Sequence, residues 1–82
     1  GAERLKEPNH PAQKPVKVLK KIIEIASNPN QVVFDPFMGV GSTGVAALQM
    51  NRKFIGFELE KTYFEAAKKR IENAILQVSL FA

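Results

Sequence analysis

The chain contains no cysteine and a single histidine, His10. Without cysteine there is no disulfide, no thiolate metal site and no thiol nucleophile. One histidine excludes a histidine-rich metal site, so no metal is expected. Long apolar runs are absent too. None approaches the roughly 18 residues that a membrane-spanning helix needs, and no signal peptide is visible. A soluble intracellular protein is expected. Acidic residues are outnumbered, 8 against 12 Lys and Arg, which gives a formal charge of +4. A basic balance suits nucleic acid, whose phosphates Lys and Arg neutralise. It suits an ordinary lysine-rich surface in water equally well. With 82 residues there is room for one small domain. A domain of that size buries only roughly 60–65% of the surface of its unfolded chain, so its stability is marginal.

What is present is ordered around Asp35-Pro36-Phe37-Met38-Gly39-Val40-Gly41-Ser42-Thr43-Gly44. Residues 1–14 are polar, with Pro8 and Pro11, and read as loop. Pro15 stands where a first-turn proline belongs. From Pro15 to Ser27 the period is helical, with Val18, Leu19, Ile22, Ile23 and Ala26 on one face and Lys17, Lys20, Lys21 and Glu24 on the other. The lysines read as a solvated helix face rather than a nucleic-acid contact. Asn28-Pro29-Asn30 makes a turn. Gln31–Asp35 is the first strand, and its continuous Val32-Val33-Phe34 run predicts burial on both faces. A short second helix, Ser42–Met50, is rich in small residues that let a helix lie close to a sheet. Lys53–Glu58 is the second strand, in which Gly56 signals close approach by some other group. The third helix runs from Lys61 to about Gln77, with Tyr63, Phe64, Ala67, Ile71, Ala74 and Ile75 as its stripe and Glu65/Lys69 and Lys68/Glu72 as i,i+4 pairs. Val78–Ala82 stays unassigned. The order helix–strand–helix–strand–helix implies an α/β unit with two parallel strands and a right-handed crossover.

A glycine turn between strand and helix suits a nucleotide-like ligand, because glycine permits close approach and the helix behind offers free N–H groups. Three ligand classes compete. A phosphate-cradling P-loop is excluded, since Val45 and Ala46 stand where Lys and Ser/Thr are required. A dinucleotide turn needs G-x-G-x-x-G and an acid after the next strand, which Gly39, Gly41, Gly44 and Glu58 supply. S-adenosylmethionine also needs an acid for its ribose but carries an ammonium group in place of the pyrophosphate. Asp35 supplies an anion that would attract the ammonium and repel a pyrophosphate, which favours the methyl donor.

Three motifs sharpen this reading. Asp35 to Thr43 resembles the D-P-F-x-G-x-G-[ST]-T cofactor motif of DNA methyltransferases that modify exocyclic amino groups of adenine or cytosine. His10-Pro11-Ala12-Gln13-Lys14-Pro15 is similar to their H-P-[TA]-Q-K-P motif. Ile55-Gly56-Phe57-Glu58, followed by Tyr63, Ala67 and Arg70-Ile71, resembles their I-G-x-E stretch and the helix after it. The order matches the beta arrangement, in which this cofactor region is C-terminal. The resemblance implies a partial Rossmann-like methyltransferase fold. Residues 1–82 would form a single partial domain, with residues 1–14 a loop and 15–82 the cofactor-binding unit. It implies S-adenosylmethionine as cofactor. Gly39 and Gly41 would make the close turn in the Asp35-Pro36-Phe37 and Ser42-Thr43 frame. Phe37 would touch the cofactor, Thr43 would open the helix, and Glu58 would hold the ribose. Gln13, Lys14 and Pro15 would flank the methionine end, with Lys14 pairing its carboxylate. It also implies a prokaryotic or phage-type cytoplasmic enzyme of restriction–modification type.

The family's catalytic motif is [DNS]-P-P-[YFW], in which an aromatic residue stacks on a flipped base. No Pro-Pro pair occurs in these 82 residues. No target-recognition region is evident either. No catalytic residue is therefore assigned, and the chain is expected to be inactive alone, reaching DNA through the missing portion. In the intact fold the first strand would lie mid-sheet. Its Gln31–Asp35 edge is expected to pair with a second copy or a complementary chain. The alternative is a non-catalytic, NAD-type nucleotide-binding or assembly module.

Overall fold

The structure, a computed structural model, describes residues 14–81, with side chains described for 14–80. Its elements are α1 (Val16–Ala26), β1 (Val32–Asp35), α2 (Ser42–Gln49), β2 (Lys53–Gly56) and α3 (Lys61–Phe81). The two strands are parallel, with Val32 opposite Lys53 and Asp35 opposite Gly56. The expected helix–strand order and parallel pairing are both present. Among the described residues no strand pairs with the other edge of β1.

The short helix α2 is the centre of the fold. Ala46 and Ala47 are fully buried, and Ile23 of α1 packs on them together with Val16, Leu19, Val33 and Phe54. Gly44 faces the ring of Phe54 and the tip of Ile71; a Cβ there would come within 2.7 Å of Phe54. Small residues on α2 thus let a strand and a second helix close on it at once. Gly56 is explained in the same way. A Cβ on it would lie 2.6 Å from the Met38 sulfur and from the Phe54 ring, so the group that approaches it is the protein's own core.

The two-sided burial expected of β1 is not found. Exposure alternates along both strands, because successive side chains point to opposite faces. Val33 packs towards α2, whereas Val32, Phe34, Ile55 and Phe57 are at least half exposed on the other face. The helices that contact the sheet cover the first face. On the open face Phe34 and Phe57 pack edge to face, with ring centroids 5.8 Å apart. Three of the five residues of the α1 stripe, Val18, Ile22 and Ala26, are exposed as well.

Two boundaries differ from expectation by more than one residue. The α3 helix continues through Phe81, since residues 74–81 contain neither glycine nor proline to stop it. Regular pairing in β2 stops at Gly56, although Phe57 still donates its N–H to the Asp35 carbonyl at 3.0 Å. The expected Glu65/Lys69 and Lys68/Glu72 pairs do not close. The ion pair among the described residues is Lys21–Glu24, an exposed i,i+3 contact of 3.6 Å that contributes little.

Arg52, between α2 and β2, is 7% exposed. Its guanidinium donates to the Ser27 hydroxyl at 3.0 Å, the Ser27 carbonyl at 2.7 Å and the Met50 carbonyl at 2.7 Å. Those carbonyls lie just past the ends of α1 and α2, where a cation is favoured by the helix dipole. One side chain therefore joins two helix ends. Arg52→Ala is expected to lower the unfolding free energy by about 2–4 kcal/mol, read as a lower urea midpoint. Arg52→Lys should recover less than half of the loss, because an ammonium cannot reproduce the forked geometry.

Candidate cofactor site

The site is built on the C-terminal ends of the two parallel strands, where ligands of open α/β sheets bind. Asp35 closes β1. Its Oδ1 accepts the N–H of Phe37 at 3.0 Å, which bends the chain out of the strand. Its other carboxylate oxygen has no partner among the described residues. Met38 donates to the Phe57 carbonyl at 2.9 Å, and Gly41 donates back to the Met38 carbonyl at 2.8 Å. Gly39 and Gly41 both take positive φ, 55° and 84°. Gly41 then stands as the residue before α2, with no side-chain cap. Gly41, having no side chain, cannot itself accept from the first N–H groups of α2.

Two charged side chains brace this turn from outside. Glu58 lies two residues beyond β2 and reaches back. Its Oε1 accepts the Gly39 N–H at 2.9 Å, and its Oε2 accepts the Glu60 N–H at 2.9 Å. Each oxygen keeps a second lone pair, so the carboxylate is held in place with acceptor capacity to spare. Arg70, on α3, donates through Nη1 to the Val40 carbonyl at 2.9 Å and to the Ser42 hydroxyl at 3.1 Å. Burial pushes the Arg70 guanidinium below its ordinary pKa. Glu60 in turn caps α3, its Oε1 accepting the Tyr63 N–H at 3.0 Å.

A DNA-methylase family model matches residues 2–69. The chain belongs to the N6/N4 DNA methylase family. It is 44% identical over 77 residues to type II methyltransferase M.HinfI of Haemophilus influenzae, an alignment that covers 89% of this chain and 21% of that protein. It is 48% identical over 64 residues to type II methyltransferase M2.LlaDCHI of Lactococcus lactis subsp. cremoris, covering 78% of this chain and 24% of the relative. Among solved structures it resembles the M1.HpyAVI–SAM complex at 49% identity with a TM-score of 0.76, over 87% of this chain and 35% of that one. The chain thus spans about a quarter of the length of the curated relatives it matches. Its fold is the corresponding part of a Rossmann-like methyltransferase domain.

The structure brings Asp35, Pro36, Phe37, Gly39, Gly41, Ser42, Thr43 and Glu58 to one end of the sheet. They are not alike in exposure. Phe37 is 82% exposed, whereas Ser42 is 5% exposed and turned towards Arg70. Ser42 thus holds the turn from behind. Lys14 is exposed, and Pro15 is the residue on which α1 begins, its carbonyl accepting from Val18 and Leu19. Gln13 and the rest of the HPAQ segment lie outside the described residues. No group of His, Asp and Glu among the described residues could hold a metal. No helix there is long and apolar enough to cross a membrane.

Sequence reasoning missed the brace from Arg70. The signal was available: Ala67, Arg70 and Ile71 share one helical face, and a charged residue among small and apolar ones there asks for a polar partner. It also missed Leu59, fully exposed beside Glu58. Gly41→Ala is expected to cost about 1–2 kcal/mol for the left-handed backbone alone. A further cost follows from a Cβ 3.0 Å from that of Ala67. Thermal melting of the variant checks this, with Ala46→Gly as a control for α2 propensity.

Proposed function

We propose that these residues form the S-adenosylmethionine-binding portion of a site-specific DNA amino-methyltransferase, C-terminal in a beta-type order. The observation that carries the reading is Glu58, whose carboxylate is fixed against the Gly39 N–H with lone pairs left for two hydroxyls. The ribose diol of an adenosyl group fits that acceptor. The open oxygen of Asp35 suits the ammonium of the methionine end, directly or through water. Lys14, flanked by Gln13 and Pro15, would meet the carboxylate. Gly39 and Gly41 let the ligand pass close to backbone, and Thr43 presents the first turn of α2. Phe37 and Leu59 offer apolar surface to the adenine. When bound, the cofactor supplies a methyl group activated on a sulfonium.

The chain's own share of the reaction is to bind and orient that cofactor. A Pro-Pro-aromatic segment to hold the target amine is absent from these residues, so by themselves they would not methylate DNA. The substrate base would be presented by a complementary portion pairing along the free edge of β1, in a bacterial or phage-type cytoplasmic setting.

Calorimetric titration with S-adenosylhomocysteine, with NAD⁺ as control, tests the reading. Binding of the former alone is expected, and Glu58→Gln should weaken it about tenfold through loss of a charge-assisted bond. Binding of NAD⁺ alone would overturn the assignment. Analytical ultracentrifugation tests the edge: concentration-dependent association is expected, and a strictly monomeric, cooperatively folded chain would contradict it.

A further inference from the structure

Arg70 has no part in the cofactor reading above, yet its side chain bonds directly to the turn. One nitrogen, Nη1, donates to the carbonyl of Val40 and to the hydroxyl of Ser42, the residues on either side of Gly41. Gly41 is the left-handed residue, with φ 84°. Its Cα faces Ala67, which is fully buried, and the tip of Ile71. Ala67, Arg70 and Ile71 are i, i+3 and i+4 on α3. The small residue lets the helix approach, and the arginine fastens it there.

Among the described residues no carboxylate pairs with Arg70. It stands beside the first turn of α2, whose dipole is positive and therefore disfavours it. The two hydrogen bonds are what it gains against those costs. We propose that Arg70 is a positioning residue: by bridging the two sides of Gly41 it fixes the curvature of the glycine turn, and so the direction of the backbone N–H groups that face the ligand. It acts through the turn and does not touch the ligand. Glu58 holds the Gly39 side of the same turn, so the turn is clamped by one anion and one cation.

The test is amide hydrogen exchange by NMR on the full chain, comparing wild type, Arg70→Met and Arg70→Lys. The methionine keeps most of the stem and loses the donors. The lysine keeps donors and charge without the rigid fork. The amides of Met38, Gly39 and Gly41 are hydrogen-bonded, so their opening can be followed. In R70M those three are expected to exchange about tenfold faster, while amides of β2 and of mid-α2 change by less than about twofold. R70K should fall between. A uniform acceleration across turn, strands and helices would reduce Arg70 to general stability and overturn the proposal, as would no change at the turn. Should R70M fail to fold, R70K decides: faster exchange confined to the turn supports the proposal, and wild-type exchange there overturns it.

A second arm rests on the cofactor reading and is separable from it. If wild type binds S-adenosylhomocysteine, R70M should bind it about tenfold more weakly, with partial rescue in R70K. Equal affinity in all three would overturn the link between turn curvature and binding. If wild type does not bind, the cofactor reading fails, and the exchange pattern still decides the role of Arg70.

Discussion

A left-handed backbone at Gly41, pressed against Ala67, is the constraint on which the rest of this structure depends. The chain must leave β1, reverse, and start α2 within a few residues. That path requires positive φ at Gly39 and Gly41. Such a path is soft unless something holds it, because the same freedom that lets glycine enter it lets glycine leave. Here the restraints are polar and come from outside. Glu58, beyond β2, takes the Gly39 N–H, and Arg70, on α3, takes the groups flanking Gly41. The two residues are charged, partly buried and not paired with each other, which is costly unless each hydrogen bond is made. Turn geometry, the end of β2 and the seat of α3 are thereby one coupled arrangement.

That arrangement stands on a narrow base. A two-stranded parallel sheet is marginal by itself, and this one buries a single face. Its stability comes from α2, whose alanines and glycine accept α1, Phe54 and Ile71 together. Arg52 supplements it by tying two helix ends. The open face carries Val32, Phe34, Ile55 and Phe57, and alongside it runs the edge of β1 that no strand pairs among the described residues. A chain that spans about a quarter of its relatives' length exposes here the apolar surface that a parallel sheet normally covers on both sides.

Much of this was legible in the sequence. Periodicity and punctuation locate five elements and their order, and the meeting of Asp35, Gly39, Gly41 and Glu58 at one end of the sheet is legible because strand ends and a glycine turn bring them together whatever else the chain does. The run Val32-Val33-Phe34 misled, since a residue pattern reports what a strand is fit for and not which layers are present. Gly56 in mid-strand signals a close approach, but sequence does not say that Met38 and Phe54 make it. The end of α3 was lost because no cap or breaker marked it. Arg52 gives no sign of its brace, and the face it shares with Ala67 and Ile71 says of Arg70 only that it needs a polar partner, for the acceptors are backbone carbonyls and hydroxyls, which every sequence has everywhere.

The most direct test of the account is to map the ligand's footprint on an isotope-labelled chain by NMR as S-adenosylhomocysteine is added. The largest shift changes are expected on the amides of Phe37, Gly39, Gly41, Thr43 and Leu59, at the ends of the two strands, with α1 and the far half of α3 unmoved. Changes centred elsewhere, such as on the shallow cleft between Glu65, Lys68, Lys69 and Glu72 of α3, would contradict it.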